Sequence, residues 1–272
     1  MHKKIGLFWL RDDFRLLRND GLIEATARHD QVVVFYLYKK LHYKHQEAQK
    51  WWLSKSLFYF QKKLNKLNIN LEIIETESFK IFFEKLLKKD DFSLYWNKVY
   101  EPDFLKFDEY LIKNLKRKNL FYKICKGNIL NEVYEIKKND GNPFKVFTPF
   151  WRSAEKYYIE KIPPKEKVIK KCSENKVYFK NNLDHEEILP NKNWFKNFEN
   201  LWLPSEENAL KELRNFIKNK ITKYSESRNY PNIVGTSKLS PFIKFGQIHV
   251  ETIWLECEKI KPKNFGTSKF LA

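Results

Sequence analysis

Cysteine is scarce in this chain. Its 272 residues hold three, Cys125, Cys172 and Cys257, odd in number and far apart. That spacing excludes a disulfide framework and a paired-cysteine zinc site, and it points to a reduced, cytoplasmic compartment. Long apolar runs are missing as well: VVVFYLY at 32–38 falls far short of the ~20 residues that cross a bilayer. The apolar stretch in the opening MHKKIGLFWLRDD is soon broken by charge, so it reads as a first strand and not as a signal peptide or membrane span. Histidine is sparse, and His42 and His45 in LHYKH have no third ligand candidate nearby, so they read as loop residues and no metal is implied. Carboxylates are in deficit, 34 against 52 Lys and Arg, which gives a net charge of +18 and favours polyanions through counterion release. Only eight of those basic residues are arginine, and Asn and Ile are plentiful. Such a skew also arises from a low-GC coding sequence, so the charge alone does not establish DNA as partner. What is present is 42% hydrophobic and 17% aromatic content, enough to bury a sizeable core in one large or two ordinary domains.

Periodicity places the elements. KKIGLFW at 3–9 and QVVVFYLY at 31–38 are compact apolar runs of strand length, as expected for buried parallel strands. Between them Asn19 or Asp20 starts a short helix. Residues 46–68 carry a helical pattern with Trp52, Ser56, Tyr59, Leu64 and Leu67 near one stripe, and INLEII at 69–74 is the next strand. Trp51 and Trp52 stand at helical spacing beside Leu57, which favours core over a base-stacking platform. Strand and helix alternate to about residue 125, so the fold class is a doubly wound α/β parallel sheet. From 131 to 200 Pro143, Pro149, Pro163, Pro164 and Pro190 mark a long connector, anchored by Phe150 and Trp151. Helical signal returns at Ser205, an N-cap with Glu206 and Glu207 in the first turn, followed by Leu210, Leu213, Ile217, Ile221 and Tyr224. The organisation expected is an α/β domain at 1–130, a connector at 131–200 and the first helices of an all-α domain at 201–272.

The densest chemistry lies in YSESRNYPNIVGTSKLSPFIKFG, residues 224–246. Gly235 allows a turn that a Cβ would resist, and Thr236 and Ser237 offer adjacent hydroxyls. Ser240 before Pro241 reads as N-cap and first helical position, with Lys238 adding a full positive charge. Together these make an anion site at a helix start. An ordinary capped helix after a glycine turn is the plain alternative for GTSKLSP alone.

The whole string resembles the FAD-binding signature of the photolyase/cryptochrome family, in which Tyr224, Arg228, Pro231, Gly235, Thr236, Ser237, Leu239, Ser240, Pro241, Phe245 and Gly246 fill the motif in order. Lys238 stands where the family more often has Arg, losing the bidentate fork, and His249 and Glu251 stand where it often has Ser and Arg. Three further blocks agree: Arg11, Asp13, Arg15 and Asn19 after the first strand, with Arg18 in place of the usual Asp; Asn97, Tyr100, Glu101 and Asp108 in NKVYEPDFLKFDEYL; and GNPFKVFTPFWR. The resemblance runs from about residue 4 to the last residue.

By that resemblance Tyr224, Thr236, Ser237, Lys238, Leu239 and Ser240 would hold FAD, and Arg228 would face DNA. An antenna chromophore of unknown type would belong to the α/β domain. Some relatives place polar residues of a folate site just after the Tyr-Glu, where this chain has Pro102, Asp103 and Phe104, which disfavours folate. The implied activity is light-driven repair of cyclobutane pyrimidine dimers in UV-damaged DNA by a monomer, with the chemistry carried by the flavin and no catalytic side chain in these residues. A cryptochrome-type photoreceptor is the alternative. A standalone α/β flavoprotein or nucleotide-binding module is a third reading, opposed by the position of the 224–246 string outside the α/β domain. The family's chains continue past the place where this one stops, and none of the eight tryptophans matches the family's flavin-reducing chain. The expectation is therefore that this polypeptide alone is incomplete, holds FAD poorly or not at all and repairs no dimers. Its later helices are expected to leave Leu213, Ile217, Phe242, Ile243 and Phe245 under-buried.

Overall fold

The computed structural model describes residues 5–39, 47–132, 134–160, 167–173, 177–179, 183–260, 262 and 264–272. His42, His45, Pro163 and Pro164 lie outside the described residues. In chain order the elements are β1 (Ile5–Leu10), α1 (Asp20–Arg28), β2 (Val32–Tyr38), α2 (Glu47–Asn65), β3 (Asn70–Glu75), α3 (Phe79–Leu86), β4 (Phe92–Asn97), α4 (Pro102–Arg117) and β5 (Tyr122–Cys125). There follow α5 (Phe147–Glu160), α6 (Phe198–Leu201), α7 (Glu206–Asn219), α8 (Tyr224–Ser227), α9 (Ser240–Lys244), α10 (Val250–Glu258) and α11 (Phe265–Leu271). They divide into two compact units, one of residues 1–128, 168–210 and 239–248, the other of 129–167, 211–238 and 249–272.

The first unit is built on a five-stranded sheet in the order β3-β2-β1-β4-β5. Every pairing is parallel, with Leu7 of β1 opposite Val33 of β2 and Leu94 of β4. Side chains alternate across a strand, and here both sets are apolar. Leu7, Trp9, Val33, Phe35, Leu94 and Trp96 join Phe83 and Leu86 of α3 and Leu111 and Leu115 of α4 in one core cluster. On the other face Phe8, Val34 and Tyr95 are equally buried. A sheet covered on both faces is what continuous apolar strands predict, and the doubly wound reading holds. The caps are local: Asn19 Oδ1 accepts from the Leu22 N–H at the start of α1, Ser78 Oγ from that of Ile81 at the start of α3, and Ser205 Oγ from that of Asn208 at the start of α7. Trp51 and Trp52 of α2 are core residues.

Two helices stop earlier than their apolar pattern. The α2 pattern runs to 68, but the helix ends at Asn65 and Asn68 takes a left-handed turn, φ 57°. The stripe from Leu210 to Tyr224 breaks at Lys220, whose φ of −131° leaves helical geometry, so Ile221 falls in a separate 3-10 turn and Tyr224 opens α8. The connector is tied along the edge of β3. Leu183 N–H donates to Ile73 O at 2.7 Å, and the buried Glu72 carboxylate accepts from Tyr178 and Phe179 N–H at 2.8 and 2.7 Å. Burial pushes the Glu72 carboxyl up while those two donors pull it down. This covering blunts an edge that would otherwise present unpaired N–H and C=O groups.

In the second unit Ile136, Ala154, Tyr158 and Trp254 form the core, with Phe150 and Trp151 packed on it. Tyr158 donates its hydroxyl to Asn131 Oδ1 at 2.9 Å. A second cluster joins Phe216 of α7, Tyr224 and Phe270 of α11. The expected under-buried stripe is not observed. Leu213, Phe242 and Phe245 are buried and Ile217 and Ile243 half-buried, because Phe242 packs on Trp52 and Trp202 and Phe245 packs on Trp52 and Phe14. Their partners come from distant sequence rather than from further helices.

Candidate functional site

Within the second unit, Tyr224 is half-buried against Phe216 and Phe270, and the exposed Arg228 guanidinium lies 5.6 Å from the centre of its ring. Gly235 has no left-handed φ; a Cβ there would collide with Ser227, so close approach rather than turn geometry selects glycine. The left-handed residue of the string is Lys238, φ 57°. Thr236 and Lys238 are exposed and Ser237 is half-buried.

Within the first unit, Leu239 is buried and Ser240 exposed. Ser240 is the first residue of α9, not its N-cap: Leu239 takes that place, with no side-chain cap bond. The shift frees the Ser240 hydroxyl from the capping role that its Ser-Pro context predicts. The rest of the string is fixed by long-range bonds. Phe14 N–H donates to Phe245 O at 3.3 Å and Arg15 Nη1 to Gly246 O at 3.0 Å. Gly246 sits at φ 62° against the Asp12 carbonyl, with no room for a Cβ. Gln247, fully buried, accepts from Trp52 Nε1 and donates to Ser56 Oγ.

The loop after β1 that receives this segment is a buried polar network. Arg11 makes a paired contact with Asp108, with Nη1 3.2 Å from Oδ2, and its guanidinium carbon lies 3.9 Å from the centre of the Trp9 ring. Burial lowers the Arg11 pKa, and Asp108 opposes that shift. Asp13 accepts from Arg11 N–H and from Asn97 Nδ2, while Asn97 Oδ1 receives the Gly21 N–H. Burial pushes the Asp13 carboxyl up, against the pull of Arg15 and of its own donors. Glu206 accepts from Leu16 and Leu17 N–H and pairs with Lys63 at 2.6 Å. Arg11, Asp13, Arg15, Asn19, Asn97 and Asp108 thus act as scaffold. Arg18, the departure in the first block, is left-handed at φ 52°.

A pocket of about 410 Å³ opens beyond the carboxyl ends of the strands, lined by Lys39, Ser78, Phe79, Lys80, Glu101, Asp103, Phe104 and Phe107. It lies where α/β sheets of this winding place ligands. Lys39 Nζ is 3.7 Å from the centre of the Phe79 ring, and burial lowers its pKa. Glu101, Asp103 and Phe104 were legible in YEPDF; Lys39, Phe79 and Lys80 were not. Their signal is positional, since each follows a strand by one to five residues. Among the described residues no group of three His, Cys, Asp or Glu could hold a metal ion, and no helix is long and apolar enough to cross a membrane.

Comparison with known proteins matches residues 6–171 to the DNA photolyase family model. A deoxyribodipyrimidine photo-lyase of Agrobacterium fabrum is 30% identical over 91% of this chain and 52% of its own length, and cryptochrome-2 of Arabidopsis thaliana is 26% identical over 96% and 44%. Among solved structures, a bacterial class III photolyase from Agrobacterium tumefaciens superposes with a TM-score of 0.86 at 26% identity, covering 99% of this chain and 56% of that one. An archaeal photolyase from Sulfolobus tokodaii, solved with two FAD molecules, gives 0.73 at 18% identity over 94% and 55%. The chain spans about half the length of the curated photo-lyases it matches.

Proposed function

This chain belongs to the DNA photolyase family, and on that premise we propose that it contributes the diphosphate-holding part of a light-driven, FAD-dependent repair of cyclobutane pyrimidine dimers. The observation that carries the reading is the chemistry of 236–240: two exposed hydroxyls at Thr236 and Ser240, a half-buried one at Ser237, and an exposed ammonium at Lys238. Lys238 is left-handed and Leu239 right-handed, φ −83° and ψ −13°. A run of hydroxyls beside an ammonium has the chemistry that suits a diphosphate. Tyr224 would pack beside the cofactor and Arg228 would contact the phosphates of UV-damaged DNA. When bound, the flavin supplies the photochemistry, a light-driven electron to the dimer that returns after the ring splits. The side chains of this chain bind and orient; none is required to move a proton. The 410 Å³ pocket with its phenylalanine wall and two lysines is the proposed seat of an antenna chromophore.

The match to cryptochrome-2 supports a second reading, a blue-light photoreceptor built on the same nucleotide grip. Replacing Ser237 and Ser240 together with alanine tests the grip. Loss of each hydroxyl should cost on the order of 1.5–3 kcal/mol if its bond to the diphosphate is charge-assisted. The measurement is flavin retention by absorbance, on this chain and on a version extended to the length of its relatives; unchanged retention in the double variant would sink the assignment. Repair of a dimer-bearing oligonucleotide in light, by the extended version, separates enzyme from photoreceptor.

A further inference from the structure

The start of α5 presents an aromatic surface that the flavin reading leaves unused. Val146 and Phe147 are 63% and 57% exposed, although Phe147 is a large apolar side chain. Its ring lies nearly parallel to that of Trp151 one turn on, 13° between planes and 6.2 Å between centroids. Trp151 is itself held edge-on by the buried Trp254, 6.0 Å away, so the platform rests on the unit's core. The charges nearest Phe147 in the chain are both basic. Residues 141–154 include Lys145 and Arg152, both exposed, and no Asp or Glu. The first turn of α5 is likewise free of acid.

An exposed ring anchored on the core, with cations as its nearest charged neighbours in the chain, complements a flat π-face attached to a negative backbone. From this we propose that Phe147, with Lys145 and Arg152, forms a stacking platform for an unpaired nucleic-acid strand. One base would lie on the free face of Phe147, and the neighbouring phosphates would meet Lys145 and Arg152. A duplex keeps its bases stacked on each other and offers the ring no face, so preference for single strands is the distinguishing property. The site is separate from the 236–240 hydroxyls, and it needs neither flavin nor lesion.

The test is fluorescence anisotropy on the 272-residue chain, in the dark and at low salt, with a labelled, lesion-free single-stranded oligothymidylate and a duplex of equal length. Tighter binding to the single strand is expected. Phe147→Ala should weaken it by about 5- to 100-fold and leave the duplex unchanged, while Phe147→Trp should hold or improve it. Arg152→Ala should weaken it and make the salt dependence shallower by roughly one phosphate contact. Equal binding to both nucleic acids, an unaffected Phe147→Ala variant, or a polyglutamate of the same charge competing as well as the oligonucleotide would each overturn the proposal. The last outcome would point to a surface that reads an acidic protein. Since flavin and dimer are absent from the assay, failure here leaves the repair reading standing, and failure of repair leaves this one standing.

Discussion

Asp108→Ala would remove the partner of a buried cation. Arg11 and Asp108 are both almost fully buried, the guanidinium lies over Trp9, and Arg11 Nε already lacks a hydrogen-bond partner among the described residues. Breaking a buried pair from one side costs about 3–5 kcal/mol, chiefly because the remaining charge is left in low dielectric. Asp13 stays close, and a desolvated cation–π contact contributes up to about 2 kcal/mol, so the low end, about 3 kcal/mol, is expected. Asp108→Asn keeps the shape and an acceptor and should cost less. The double variant Arg11→Met with Asp108→Leu removes both charges and should recover most of the loss, since apolar replacements of buried pairs are often neutral. Urea unfolding followed by tryptophan fluorescence reads all three, with the alanine midpoint falling by about 1 M or more. An alanine variant within 1 kcal/mol of the parent, on the order of a surface change, would refute the argument. So would a double variant as unstable as the single one, because the pair would then be stabilising in its own right.

Glu72 supplies a pH test. Its carboxyl lies above the ordinary 4.5 because of burial, so the folded state holds the proton more tightly than the unfolded one. Its contribution to stability is present below that ordinary value and lost as pH rises through the folded value; Glu72→Gln should flatten the stability curve just above pH 4.5, read from urea midpoints between about pH 4 and 7. An identical slope in the variant would remove Glu72 as the source. Gly246→Ala combines a left-handed φ of 62° with a Cβ directed into the Asp12 carbonyl, and should cost about 2 kcal/mol or more, seen as a lower thermal midpoint. A midpoint matching the parent would mean that this backbone shifts freely.

What was legible in the sequence is what nearest neighbours decide. The runs at 5–10 and 32–38 read as strands because both side-chain sets are apolar, and Asn19 read as a helix start because its side chain serves a donor three residues on. The hydroxyls of 236–240 were legible for the same reason: they form one continuous string. The misreadings share a different physics. Ser240 looks like a cap from its Pro neighbour, but the backbone enters α9 one residue earlier, at Leu239. Gly235 looks like a turn residue, yet its constraint is Ser227, eight positions back. Phe242 and Phe245 look under-buried because their partners are Trp52, Trp202 and Phe14, as far as about 230 residues away in the chain, and no local pattern encodes such a contact.

Those distant contacts act on the stretch that directly follows Lys238, which is itself left-handed. A non-glycine residue at φ 57° costs roughly 1–2 kcal/mol and persists only when its surroundings over-determine it. On the side after Lys238, the backbone of 239–248 is held by Trp52, Arg15, Phe14 and the close fit of Gly246 on Asp12. On the side before it, Gly235 is pinned to Ser227 by contact that excludes a Cβ. The strain falls on the residue whose ammonium the proposed diphosphate would meet.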